Sequence, residues 1–95
     1  MLHTTAFTAW MTAQGYPPKT PQVYLRDIEE AKARTKSPLE PVSVANTRQL
    51  LNRIDNEGPA RTQHQMDNDK SAVNCYYEFR TGIALPGYRR RGPRP

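Results

Sequence analysis

Apolar residues along this chain recur at helical spacing, and no segment alternates as a strand would. In "TTAFTAWMTAQGY" the residues Phe7, Trp10 and Met11 form an i, i+3, i+4 stripe, with Ala6 and Gln14 beside it. The spacing predicts a first helix over 4–14, capped by Thr4 or Thr5 and ended by Gly15 in a left-handed conformation. Pro17 and Pro18 forbid continuation, because proline lacks an N–H and restricts the residue before it. Thr20-Pro21 reads as the next start, the threonine hydroxyl accepting an early N–H and the proline filling the first helical position. A second helix is expected over 21–34, with Tyr24, Leu25, Ile28 and Ala31 inward and Arg26, Glu29, Glu30 and Lys32 outward. Arg26 and Glu30 are placed for an i, i+4 ion pair.

"TKSPLEPV" is a proline-punctuated loop from which Leu39 and Val42 are expected to tuck onto the core. Ser43 then caps a third helix over 44–57, with Val44, Thr47, Leu50, Leu51 and Ile54 inward and Gly58-Pro59 as its stop. The last element starts ambiguously: at Ala60, or at Asp67 or Asp69 as cap. One helix over 61–81, stopped by Gly82, accommodates Met66, Ala72, Val73, Tyr76, Tyr77 and Phe79 best. Tyr76 and Tyr77 are adjacent, so one of them is expected to lean outward. The fold class expected is all-α: a compact four-helix orthogonal bundle over 1–86, followed by a basic irregular C-terminal tail over 87–95.

Charge changes this picture more than composition does. The chain of 95 residues carries a formal net charge of +5, from fourteen Lys and Arg against nine Asp and Glu. The segment "GYRRRGPRP" holds Arg89, Arg90, Arg91 and Arg94 and no acid; without those four, ten basic residues face nine acidic ones, a net of +1. The basic character therefore lies mainly in the tail, which suits wrapping of phosphates and equally an acidic protein or RNA. An apolar fraction of 36% predicts a thin core. A single cysteine excludes an internal disulfide and fits a reducing, cytoplasmic setting. No run approaches the roughly 18 apolar residues of a membrane span, and no basic-then-apolar secretory signal is visible.

Catalytic chemistry has no sequence support, and no cofactor or metal is expected. His3 and His64 lie far apart, Cys75 has no second cysteine, and the five glycines form no phosphate loop. Cys75, between Asn74 and Tyr76, reads as a half-buried structural thiol, Glu29-Glu30 as a solvated face, and Trp10 as core.

The order of motifs resembles the N-terminal core-binding (SAM-like) domain of the tyrosine recombinase, or phage integrase, family. In "AFTAWMTAQGYPPKTPQVYLRDIEEA" a helix ends in Gly, a Pro-Lys-Thr turn follows, and the next helix carries Tyr24, Leu25, Arg26, Asp27 and Ile28. "EPVSVANTRQLLNRIDNEG" is similar to the family's third helix and "KSAVNCYYEFRTGI" to its fourth. The likeness covers about residues 6–83; the connection between the second and third helices is shorter, and the family's catalytic domain is missing. The resemblance implies a non-catalytic module that contacts phosphates of double-stranded DNA through Lys19, Thr20, Arg26, Lys70 and Asn74, with Asn68 beside them. Arg89, Arg90 and Arg91 then fall where the family's interdomain linker crosses DNA. A different class is also open: a small protein-interaction factor, such as a phage or plasmid inhibitor or an accessory regulatory subunit, to which the near-neutral body points.

Overall fold

Four helices form in the expected order: α1 (Thr4–Ala13), α2 (Thr20–Thr35), α3 (Val44–Asp55) and α4 (Gln63–Thr81). The computed structural model describes residues 2–57 and 62–86, and no strand occurs among them. The bundle is all-α as expected; the tail, with Arg89, Arg90, Arg91 and Arg94, lies outside the described residues, as does the Gly58-Pro59 stop.

The helix ends follow local rules, with some changes of assignment. Gly15 and Gly82 take φ of 92° and 84°, the left-handed conformation that lets the chain leave α1 and α4 without a Cβ clash. Ser43 caps α3 by accepting from the N–H of Asn46 at 3.0 Å. Two predicted caps are not formed. Thr4 and Thr5 already lie inside α1, whose cap position is His3 with no side-chain bond. The Thr20 hydroxyl does not cap α2 either. The Thr20 N–H donates to the Pro17 carbonyl at 3.1 Å, and this turn draws Lys19 into a helical conformation as the cap. Helix α4 runs Gln63–Thr81, close to the expected 61–81, and starts well before Asp67 or Asp69. Thr62 accepts from the Gln65 N–H at 3.1 Å and the Gln65 side chain accepts from the Thr62 N–H at 3.0 Å, a reciprocal capping box. At the other end of α2, Lys36 is left-handed (φ 54°). The Arg53 guanidinium closes that end, donating to Ser37 Oγ at 2.7 Å and to the Thr35 and Lys36 carbonyls at 3.3 and 3.4 Å.

Helix α4 is the centre of the molecule and packs against the other three helices. Ala72, Val73, Asn74, Cys75, Tyr76 and Tyr77 are all buried, a continuous run rather than a stripe. Both tyrosines are therefore inside, and Cys75 is fully rather than half buried. Adjacent positions, about 100° apart around a helix, can both be covered when neighbours stand on several sides. Around α4 the core is completed by Phe7 and Met11 of α1, Ile28 and Ala31 of α2, Leu50 and Ile54 of α3, and Leu39 from the loop. Phe7, Trp10, Tyr76 and Phe79 form an aromatic cluster with ring centroids 5.3–6.2 Å apart. Trp10 is half-buried against the core, as its spacing implies.

Two polar ties fasten the loops to this centre. Tyr76 Oη donates to Glu40 at 2.6 Å and accepts from the His3 N–H at 3.0 Å, while Arg80 Nε donates to Glu40 at 2.8 Å. Burial, and then the bond to Glu40, push the Tyr76 phenol up to about 12, so it stays a donor at any ordinary pH. Burial pushes the Glu40 carboxyl up, but the bonds from Arg80 and Tyr76 outweigh it and hold the carboxyl below its ordinary range. The second tie joins three elements: Arg34 of α2 donates to Asp69 of α4 at 2.7 Å and to both carboxylate oxygens of Glu57 at 2.7 and 3.0 Å. Asp69 is only 2% exposed, so its charge depends on such partners.

Arg34→Met is expected to destabilise the fold by about 1.5–3 kcal/mol, the range for hydrogen bonds to charged groups. The measurement is a urea unfolding midpoint at unchanged slope; Arg34→Met with Asp69→Leu should recover part of the stability, because the buried carboxylate that lost its arginine is replaced by an apolar group.

Candidate nucleic-acid interface

The residues expected to contact DNA fall into three places. Lys19 and Thr20 stand at the start of α2. Lys19 is exposed, and among the described residues no carboxylate lies within ion-pair distance of it. A helix start attracts anions through its unpaired N–H groups, but α2 has few to offer. Thr20 donates to Pro17, Pro21 has no N–H, and Val23 donates back to the Lys19 carbonyl at 3.2 Å. Lys19 and Gln22 retain theirs, so the lysine side chain is the main cationic feature of this end.

Arg26 is about two turns further along, on a side chain that is 64% exposed. It turns to Asp27 at 3.6 Å instead of to Glu30. Its guanidinium borders a cleft of about 300 Å³ between α2 and the start of α4, lined also by Asp27, Glu30, Gln65, Asn68 and Asp69. Three carboxylates in one cleft repel phosphate. Burial and the neighbouring Asp69 charge raise the Asp27 carboxyl above its ordinary value, against the pull of Arg26.

Lys70 and Asn74 lie on the other flank of α4, toward α3. They border a larger cleft of about 380 Å³ with Arg48, Leu51, Asn52, Asp55, Leu85 and Pro86. Lys70 Nζ is 2.7 Å from Asp55, so its charge is largely matched. Arg48 donates to the Pro86 carbonyl at 2.8 Å and ties the last described turn to α3. Asn74, at 3% exposure, donates to the Lys70 carbonyl at 2.9 Å, while its Oδ1 has no donor among the described residues; Thr47 Oγ1 is another such buried atom. The structure thus unites Lys19 with Thr20 and Lys70 with Asn74, and places Arg26 apart from both in an acidic cleft.

Arg48, Asn52 and Asp55 are site-lining residues that the sequence reading misses, although their i, i+4, i+7 spacing marks one face of α3. Among the described residues no three His, Cys, Asp or Glu side chains converge as metal ligands, and no helix is long and apolar enough to cross a membrane. No protein-family model, no curated protein and no solved structure matches the chain.

The Asp27 carboxyl fixes a pH effect and its sign. A carboxyl whose folded value is raised costs stability once ionised, so the cost is absent below the ordinary value of 3.8 and grows as pH rises through the folded value. Asp27→Asn is expected to raise the thermal midpoint at pH 7 and to leave it unchanged near pH 3. A variant no more stable at pH 7 than at pH 3, relative to the parent, refutes the strain on this carboxyl.

Proposed function

We propose that the chain is a non-catalytic helical module that contacts the phosphates of double-stranded DNA, with the arginines of its C-terminal segment supplying most of the attraction and Lys19 adding to it. One observation carries this: the excess positive charge lies outside the described residues. Of the fourteen Lys and Arg, five (Arg61, Arg89, Arg90, Arg91 and Arg94) lie outside the described residues, leaving nine that equal the nine Asp and Glu of the body. Most of the nine are engaged internally: Arg34, Lys70 and Arg80 on carboxylates at 2.7–2.8 Å, Lys32 on Glu29 at 3.1 Å, and Arg48 and Arg53 on loop carbonyls. A phosphate surface built from the body alone would have to take these side chains from their partners. The resemblance to a recombinase core-binding domain supports the duplex as the partner and assigns Lys19 to it. Four closely spaced arginines supply forks suited to phosphate oxygens without sequence readout.

A second reading has its own observation. Helix α1 contains no charged residue, and its outer face presents Thr4, Thr5, Thr8 and Ala9 around a shallow depression. An uncharged face on a neutral body suits a protein partner, and the chain would then be an interaction factor whose partner survives nuclease treatment in a pulldown.

Duplex titrations at two salt concentrations test the first reading. Replacing Arg89, Arg90, Arg91 and Arg94 by Ala should weaken binding and make the plot of log K against log salt shallower. The slope should change by about 0.9 for each phosphate that is no longer neutralised, about 3.6 if all four arginines neutralise one. Lys19→Ala should remove about one such unit. Unchanged affinity in the four-arginine variant counts against this function.

A further inference from the structure

We propose that the cleft between α3 and α4 seats one unpaired nucleotide of a nucleic acid strand, with guanine as the base it suits best. The proposal rests on the nucleic-acid reading above and assigns it a second, structured contact. At about 380 Å³ the cleft is of a size that holds a small planar ligand. Its apolar wall comes from Leu51 on α3 and from Leu85 and Pro86, whose turn is pinned across the cleft by Arg48. Such walls accept the flat face of a base.

The polar groups set which base. Asn74 Oδ1 is a buried acceptor with no donor among the described residues, an arrangement that ordinarily calls for a partner. Asp55 engages Lys70 through Oδ1 and keeps its second oxygen as an acceptor at the rim, and the amide of Asn52 stands beside it. Acceptors dominate, so the fitting edge is rich in donors. Guanine presents adjacent N1–H and N2–H groups, which match a carboxylate; thymine presents one N–H between two carbonyls and does not. Arg48 and Lys70 stand at the rim on the Pro86 carbonyl and on Asp55, and an attached phosphate would compete with those partners for them.

The test is fluorescence anisotropy with the full chain at fixed salt on three labelled hairpin duplexes: blunt, with a single 3′ guanosine overhang, and with a single 3′ thymidine overhang. The guanosine overhang should bind about fivefold tighter or more than the other two, the lower end of what stacking one base contributes. Asn74→Leu should bring that ratio to one while the thermal midpoint stays level or rises, because a buried orphan oxygen is removed. Asn52→Ala, on an exposed position, should reduce the ratio as well and stands in if the Asn74 variant does not fold. Equal binding of blunt and guanosine-tailed duplexes overturns the proposal and leaves the duplex reading in place. A guanosine preference that persists in both variants also overturns it, since the base then sits elsewhere. Binding of the tailed duplex without the blunt one keeps the seat and removes the duplex reading; binding of neither removes both.

Discussion

Everything in this fold depends on covering helix α4. Six consecutive residues, Ala72 to Tyr77, leave water together, and no single partner helix can cover a run that circles the helix more than once. Three helices and a loop are therefore drawn around it, each contributing a small apolar face. Burying side chains such as Tyr76, Phe7 and Ile28 is worth about 1.5–3 kcal/mol each, which is how a chain with a modest apolar fraction still assembles a core. Small residues make the approach possible: Ala72 and Cys75 on α4 and Ala31 on α2 are all buried. The clefts on either flank of α4 arise from the same geometry, since helices that close around one centre diverge toward their ends.

The cost of this arrangement is polar groups trapped near the centre, and the charged residues are largely occupied with that. Asp69 is held by Arg34, which also grips Glu57 where the chain leaves α3. Glu40 is held by Tyr76 and Arg80, anchoring the loop between α2 and α3 against α4. Arg53 closes the C-terminal end of α2. These bonds give the body its neutrality in practice as well as in count. Under the function proposed above, long-range attraction for a polyanion would have to come from the remaining cations of the chain, separately from any recognition in the cleft.

Local punctuation is legible in the sequence; long-range covering is not. Gly15, Ser43 and Gly82 act within a few residues of themselves and take their expected roles, while Pro21 stands at the second helical position instead of the first. Thr62 and Gln65 form a capping box whose three-residue spacing is equally visible, but the polar stretch around it carries no apolar stripe to mark a start. Spacing alone sends Tyr77 outward, because it implies a helix covered on one side; neighbours on several sides bury it instead. The Thr20 hydroxyl yields its capping role to the turn at Pro17, a competition between two local bonds that spacing does not rank. At the candidate site, Lys70 and Asn74 are one helical turn apart and stand together as expected. Their cleft also needs Arg48, Asn52 and Asp55 from a different helix, and that pairing follows only from how α3 packs on α4.

The resemblance to recombinase core-binding domains can be divided by what its residues do here. Tyr24, Leu25 and Ile28 face the core, and Pro21 is buried at the start of α2. Those positions testify to packing, and any four-helix module with the same covering problem selects them. The cations of that stretch that reach solvent include Lys19 and Arg26, and these two are not equivalent. Arg26 shares a cleft with Asp27, Glu30 and Asp69, where a phosphate meets carboxylates as well as the guanidinium. Lys19 has no such neighbours among the described residues and stands beside a helix start, whose partial positive charge adds to its own. Under the function proposed above, the functional content of the motif narrows to the lysine of the Pro-Lys-Thr turn. On that same proposal, a single lysine would attract a duplex only weakly, and the arginine segment would take the larger share.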